Sequence, residues 1–144
     1  MVASARKKLL ERWHKGVYHC TARCVRRAFL SGQDPVTGRD FSHRRDWILQ
    51  REEQLAGLFA IDLEFHAELS NHLHLVLRTR PEVARRWPPS EVARRWLTAT
   101  KLAKSHNDAL PEPDQKKLEK LLKDKKQIEI VRRLLTSVSW LMAF

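Results

Sequence analysis

Two neighbouring segments of alternating apolar and polar residues most constrain the fold of this chain. From Ile61 to Leu69 every odd-numbered residue is apolar, and every even-numbered residue between them is polar. Such period-two alternation predicts a β-strand with one face in a core and the other in solvent. A second run of strand-forming residues follows at 72–77, after Ser70-Asn71. Together the two runs predict a β-hairpin.

The second strand carries two histidines, His72 and His74, separated by one leucine. Alternate residues of a strand share a face, so both imidazoles are expected on one face, while Leu73 and Leu75 point to the other. Their Cα atoms would be about 6–7 Å apart, close enough to hold one metal ion. The same spacing is also typical of two incidental surface histidines on a half-buried sheet.

The polar positions of both strands are even-numbered, and this constrains the turn between them. A two-residue turn at 70–71 would pair Leu69 with His72 and place apolar residues opposite polar ones along the hairpin. We therefore expect a three-residue connection or a β-bulge close to this turn.

Either a three-residue connection or a bulge would bring further candidate ligands close to the two histidines. It would place Glu68, and also His66, on the face of His72 and His74. Both are candidate third metal ligands on this reasoning. Alternatively, these polar residues and Glu64 form only the solvated side of the sheet.

The chain is strongly basic, with 28 Lys and Arg against 17 Asp and Glu and a net charge of +11. The excess is concentrated in the first 50 residues, where arginines predominate. Guanidinium groups bind phosphates in a bidentate manner, and a basic surface attracts polyanions. The charge therefore favours a nucleic-acid partner, although a solvated cationic face would have the same composition. The candidate DNA-binding residues are Arg23, Arg26, Arg27, Arg44 and Arg45.

Length and cysteine usage are typical of a single intracellular domain. The 144 residues suit one hydrophobic core. Cys20 and Cys24 would lie about 13 Å apart on a strand, too far for a disulfide. No apolar run approaches the roughly 20 residues needed to cross a membrane, and the N-terminus lacks the apolar core of a signal peptide. We expect a reduced, cytoplasmic protein with no membrane association.

Around the hairpin the pattern predicts one domain, with a sheet core over residues 15–80 and a helical part over residues 90–144. The last apolar pattern stops without a capping signal, so the helical part looks incomplete at its C-terminus; a natural apolar C-terminus docked in the core is the alternative. The remaining predicted elements are a strand over 17–25, a loop over 31–38, helices from Ser42 to about Ala60 and from Ser90 to about Lys104, a linker at 110–113, and helices over 114–124 and 125–144.

Four blocks of sequence, taken in order, resemble a known family. They are Tyr18-His-Cys-Thr-Ala-Arg-Cys-Val-Arg-Arg-Ala-Phe-Leu30, Asp34-Pro-Val-Thr-Gly38, Ser42-His-Arg-Arg45 and Ser70-Asn-His-Leu-His74. These blocks are similar to those of the HUH single-tyrosine transposases, and most of all to the REP-associated tyrosine transposases. The resemblance extends from about residue 15 to residue 144.

The resemblance implies a ferredoxin-like α+β fold of the HUH endonuclease type, an antiparallel sheet with helices on one face. It implies that His72 and His74 bind a divalent ion, Mg²⁺ or Mn²⁺, which polarises a phosphate of single-stranded or hairpin DNA. In the family a tyrosine on a later helix attacks that phosphate, and homodimers are common. That helix would lie beyond residue 144, and Tyr18, the only tyrosine here, is at a different motif position. We therefore expect no nucleophile in this chain.

Three hypotheses about function follow. The first is a transposase domain for DNA transposition that acts on single-stranded or hairpin DNA but lacks its nucleophile, so that its status as an enzyme is open. The second is a non-catalytic DNA-binding module derived from a transposase. The third, a ferredoxin-like RNA binder, is disfavoured because the strands present histidines and carboxylates rather than exposed aromatic residues that stack on bases.

Overall fold

The computed structural model describes residues 13–23, 30–105 and 109–144, and within them the chain is an α+β protein. This confirms the coarse fold class. The strands are β1 (Val17–Arg23), β2 (Ile61–Glu68) and β3 (His72–Thr79). The helices are α1 (Arg44–Leu58), α2 (Pro81–Arg86), α3 (Pro89–Leu102), α4 (Gln115–Leu122), α5 (Lys125–Leu134) and α6 (Val138–Ala143).

The three strands form one antiparallel sheet in the order β1-β3-β2, so that β3 is central. Its residues Leu75 and Leu77 are buried and pair with Cys20 and Tyr18 of β1. These side chains belong to the hydrophobic core that also contains apolar residues of α1, α3, α5 and α6. The helices therefore cover this side, which we call the core face.

The hairpin is confirmed, but its predicted turn is wrong. Residues 70–71 form a tight connection in which the Leu69 N–H donates to the His72 carbonyl at 2.8 Å. Near this turn Glu68 lies opposite Leu73 and Ala67 opposite His74. A register shift does occur, but at the other end of β2, between Leu63 and Phe65.

This bulge reverses the faces of the second half of β2, because a one-residue slip moves every later side chain to the other side of a sheet. Leu63 pairs with Leu77 on the core face, whereas Phe65 pairs with Val76 on the opposite side. As a result 56% of Phe65 is exposed. The alternating pattern had predicted the reverse for this half of the strand.

The side away from the helices, which we call the open face, is lined by residues of all three strands. Their assignment follows from the pairing of His19 and Phe65 with Val76 and of Thr21 and Ala67 with His74. The open face includes Val17, His19, Thr21, Arg23, Asp62, Phe65, Ala67, His72, His74, Val76 and Arg78.

The helices deviate from the sequence prediction mainly at their ends. Ser42 does not cap α1, because its Oγ donates to Asp40, and α1 begins at Arg44. Helix α3 begins at Pro89, a favoured first-turn residue, rather than after a Ser90 cap. The segment 125–144 is two helices instead of one. Its predicted apolar stripe nevertheless faces the core, through Ile128, Val131, Leu135, Val138 and Leu141.

Candidate nucleic-acid interface and metal site

Three imidazoles form a row on the open face, and one of them was not singled out from sequence. His74 lies between His72 on its own strand and His19 on β1, with ring centres 5.9 and 5.3 Å away. Strand β1 shows the underlying signal, since its polar residues alternate with Tyr18 and Cys20. That alternation indicates a polar face, but only the strand register places His19 beside His74.

His19 and His74 make direct contact through their ring edges. The distance from His19 Nε2 to His74 Nδ1 is 3.0 Å, much shorter than the separation of the ring centres. One of these nitrogens therefore donates a proton and the other accepts it. His19 is exposed and His74 half-buried, so the pair is open to solvent and to ligands.

The ring nitrogens of His72 have other partners. Its Nε2 accepts a hydrogen bond of 2.8 Å from Arg23 Nε. Because Nε2 is an acceptor, a neutral ring carries its proton on Nδ1, which lies 2.5 Å from Asn71 Oδ1. His72 and His74 thus share a face, as the sequence predicted, but the lone pair of His72 is engaged with Arg23 rather than directed at His74.

The structure corrects the placement of the two tentative ligands. His66 and Glu68 lie on the core face, because they pair with Leu75 and Leu73. The parity reasoning placed the bulge after these residues, whereas it precedes them. Neither side chain shares a face with the imidazole row. Within the described ranges, no three His, Cys, Asp or Glu side chains are grouped closely enough to hold a metal ion.

On the core face His66 joins helix α1 through Glu52. Its Nδ1 lies 2.5 Å from Glu52 Oε2, and both side chains are largely buried. Burial raises the pKa of Glu52, and the hydrogen bond from His66 offsets only part of this rise. Both carboxylate oxygens of Glu68 are also buried and have no hydrogen-bond partner among the described residues.

Tyr18 lies on the side of the sheet opposite to the imidazoles. It pairs with Leu77 and is partly buried against the core. A nucleophile would have to reach a phosphate on the open face, and the hydroxyl of Tyr18 is directed to the other side. The position agrees with the expectation that Tyr18 is a strand aromatic.

The candidate DNA-binding arginines that the structure describes lie at one end of the sheet. Arg23 lies on the open face opposite His72. Arg44 and Arg45 are exposed at the start of α1. Only two residues connect the end of this helix to the start of β2, so the helix runs antiparallel to that strand. The start of the helix therefore lies near the turn between β2 and β3. Arg26, Arg27 and Cys24 lie outside the described residues.

A separate basic concavity lies between α2, α5 and the segment before β1. Arg85 and Arg133 approach the Trp13 ring, at 5.3 and 5.5 Å from its centre. Arg132 and Glu129 complete the lining. Arg132 is almost fully buried and donates to the carbonyls of residues 84 and 87. Two of the three guanidinium groups are therefore engaged with Trp13, and the third with the backbone.

Comparison with known proteins adds no relative to this picture, because no family model, curated protein or solved structure matches the chain. Among the described residues, none of the helices is both long and apolar enough to span a membrane.

Proposed function

We propose that the open face of the sheet binds single-stranded DNA, including the single-stranded tails of hairpins, and that its imidazoles hold a divalent metal ion near a DNA phosphate. The observation that carries this proposal is the combination on one exposed sheet face of three imidazoles, the Arg23 guanidinium and the exposed ring of Phe65. Proteins bind single-stranded nucleic acid through positive charge on its phosphates and aromatic rings that stack on its bases, and a metal ion can polarise a phosphate oxygen.

The strand arrangement supports a ferredoxin-like fold for this domain. A helix connects β1 to β2, a hairpin connects β2 to β3, and the order is β1-β3-β2. This is the arrangement of the first βαββ half of that fold. It agrees with the resemblance to HUH transposases, in which the antiparallel sheet carries the two histidines.

Each group on the open face has a distinct role in the proposal. A divalent ion, Mg²⁺ or Mn²⁺ by the resemblance, would polarise a phosphate oxygen. Arg23, held by His72, would bind a neighbouring phosphate. Phe65 would stack on a base. The only tyrosine, Tyr18, faces the core, so we assign DNA binding and phosphate positioning to this chain and no covalent step.

The experiment measures binding of a labelled hairpin with a single-stranded tail against a blunt duplex of the same sequence. Stacking on a base contributes about 1–3 kcal/mol, so Phe65→Ala should weaken binding to the tailed hairpin at least about fivefold. Lys120→Ala, an exposed change on α4, is the control. Equal affinity for tail and duplex, or an unchanged affinity of Phe65→Ala, would refute the proposal.

The same incubation tests the absence of a covalent step. With Mn²⁺ present, we expect a complex that denaturing electrophoresis separates completely. A protein–DNA adduct that persists in Tyr18→Phe would contradict the account of the nucleophile.

Single-stranded RNA is the second candidate ligand, and Phe65 favours it. The sequence had disfavoured an RNA binder because no exposed strand aromatic was expected, yet the bulge exposes this ring. Competition between DNA and RNA of one sequence separates the candidates. Preferential displacement by RNA would favour the RNA binder over the transposase-like module.

A further inference from the structure

We infer that the concavity between α2, α5 and the segment before β1 is a binding site for a phosphoryl dianion, the charged group of a phosphomonoester or of pyrophosphate. Five side chains line it, those of Trp13, Arg85, Glu129, Arg132 and Arg133. Its volume of about 460 Å³ lies within the range of small-molecule sites, roughly 300–1,000 Å³.

The concavity is separate from the phosphate-binding end of the open face, so the inference goes beyond the proposed function. Trp13 precedes Val17, the first residue of β1, and α2 follows β3 after one residue. Arg23 and His72 lie at the other end of these two strands. A strand of seven residues is about 20 Å long, so a small ligand cannot contact the concavity and Arg23 together.

The lining has an excess of positive charge. It carries three guanidinium groups and one carboxylate, a net charge of +2. The carboxylate, that of Glu129, already accepts a hydrogen bond of 3.1 Å from Arg132 Nε. Within the part of the chain that the structure describes, neither Arg85 nor Arg133 forms an ion pair. A terminal phosphate carries nearly two negative charges at neutral pH and would neutralise this excess.

Trp13 holds the two exposed arginines at the concavity and leaves their donors available. The guanidinium carbons of Arg85 and Arg133 lie 5.3 and 5.5 Å from the centre of a Trp13 ring. A cation–π contact is made with the face of the ring and needs no hydrogen bond to an oxygen. The N–H groups of both guanidinium groups can therefore bind phosphate oxygens, for which their planar fork is suited.

Arg132 adds a donor in a fixed position. Its side chain is 8% exposed. Its Nε donates to Glu129, and its Nη1 donates to the carbonyls of residues 84 and 87. Its Nη2 forms no hydrogen bond within the described ranges, although Arg132 lines the concavity. A charged donor that is buried without an acceptor is costly, so an anionic oxygen at Nη2 would be strongly favoured.

Isothermal calorimetry of the full chain with inorganic pyrophosphate, at one fixed ionic strength, tests the inference. Guanidinium–phosphate hydrogen bonds are strong, so Arg85→Ala and Arg133→Ala should each raise Kd at least about fivefold. Arg86→Ala, at an exposed neighbour on α2 outside the lining, removes the same charge and should change Kd less than about twofold. Glu129→Gln should lower Kd, because it removes the carboxylate of the lining and keeps an acceptor for Arg132.

Trp13 is a positioning residue in this site, and two variants test that role. Trp13→Leu should raise Kd because the arginines lose the ring that holds them. Trp13→Phe should largely restore the affinity, since a phenyl ring also attracts a guanidinium group. Circular dichroism verifies that these variants fold.

Three results would overturn the inference. The first is no detectable binding of pyrophosphate to the wild type. The second is an equal loss in Arg85→Ala and Arg86→Ala, which would show that the anion responds only to net charge. The third is wild-type affinity in the double variant Arg85→Ala with Arg133→Ala.

A second measurement identifies the source of the phosphoryl group by comparing one oligonucleotide with and without a 5′-phosphate. If the 5′-phosphate increases the affinity and the double variant loses this increase, the site takes the phosphorylated end of a nucleic acid. If the 5′-phosphate has no effect while pyrophosphate binds as expected, the ligand is a small free phosphate compound. If the tailed hairpin fails to bind but the order of pyrophosphate Kd values holds, the proposed function fails and this site stands.

Discussion

His66 of β2 and Glu52 of α1 form a buried hydrogen-bonded pair, with His66 Nδ1 2.5 Å from Glu52 Oε2. The pair exists only because the bulge between Leu63 and Phe65 turns His66 towards the helix. The same shift that buries this pair exposes Phe65. One irregularity in β2 thus determines both the polar contact beneath the sheet and the aromatic ring on the open face.

The Glu52–His66 pair predicts a pH-dependent stability difference between the wild type and Glu52→Gln. Burial holds the pKa of Glu52 above its ordinary value of 4.5, so the folded state binds this proton more tightly than the unfolded state does. The stability linked to Glu52 is therefore full below the ordinary pKa, and it is lost as the pH rises through the folded value. In Glu52→Gln the side chain at position 52 stays neutral at every pH. The variant therefore avoids both the cost of burying a charged carboxylate and the repulsion between that charge and Glu68.

Urea denaturation between pH 4 and pH 7 measures the effect. The two proteins should be nearly equally stable at pH 4, and Glu52→Gln should become progressively the more stable one as the pH rises. A gap that narrows with rising pH would show that the hydrogen bond from His66 outweighs the cost of burying the carboxylate.

The register of β2 predicts that Phe65 contributes little to stability. Since 56% of this residue is exposed, we expect Phe65→Ser to lower the free energy of unfolding by less than about 1 kcal/mol. The matched core change Leu77→Ala, at a residue that is 1% exposed, should cost about 2–5 kcal/mol. Chemical denaturation compares the two. Equal losses would place Phe65 in the core and the bulge elsewhere.

The arginines at the start of α1 predict a change in the salt dependence of DNA binding. Arg44→Ala with Arg45→Ala should weaken binding to single-stranded DNA. The slope of log K against log salt concentration should become shallower by about 0.7 for each lost phosphate contact. Lys116→Ala with Lys120→Ala on α4 removes the same charge and is the control. Equal slopes in the two double variants would show that the α1 arginines act only through net charge.

The buried contacts of Arg132 at the junction of α2 and α5 predict that its replacement lowers the free energy of unfolding substantially. Its guanidinium donates to the carbonyls of Ala84 and Trp87 at 2.7 and 2.6 Å, and its side chain is 8% exposed. Arg132→Met fills much of the volume but leaves both carbonyls unpaired, so we expect a loss of about 2–4 kcal/mol. Lys125→Met, at an exposed residue of the same helix, should cost less than about 0.5 kcal/mol. Comparable urea midpoints for the two variants would contradict the role of Arg132.

Much of the fold could be predicted from local patterns. The period-two alternation from Ile61 and the apolar stripe from Ile128 to Leu141 located the hairpin and the C-terminal helices correctly. The apolar pattern did not predict the break between α5 and α6. Buried residues continue through Leu135 and Val138 on both sides of the break, because both helices pack against the same core.

The candidate site was predictable only in part, for a related reason. The spacing of His72 and His74 sufficed to place them on one face, because strand geometry is local. The contact of His74 with His19 depends instead on the pairing of β1 with β3, 55 residues apart in sequence. No spacing within one strand encodes which nitrogens meet across two strands.

Local patterns in the sequence were enough to predict the hairpin, the helices and the shared face of His72 and His74, because side-chain alternation and helical periodicity are set by the backbone. The strand register, by contrast, follows from contacts between distant segments, and it sets the burial of His66 and Glu68, the exposure of Phe65 and the approach of His19 to His74. Register depends on hydrogen bonding between strands and on the helix packed against them. A one-residue bulge therefore reverses the faces that the alternating pattern predicts.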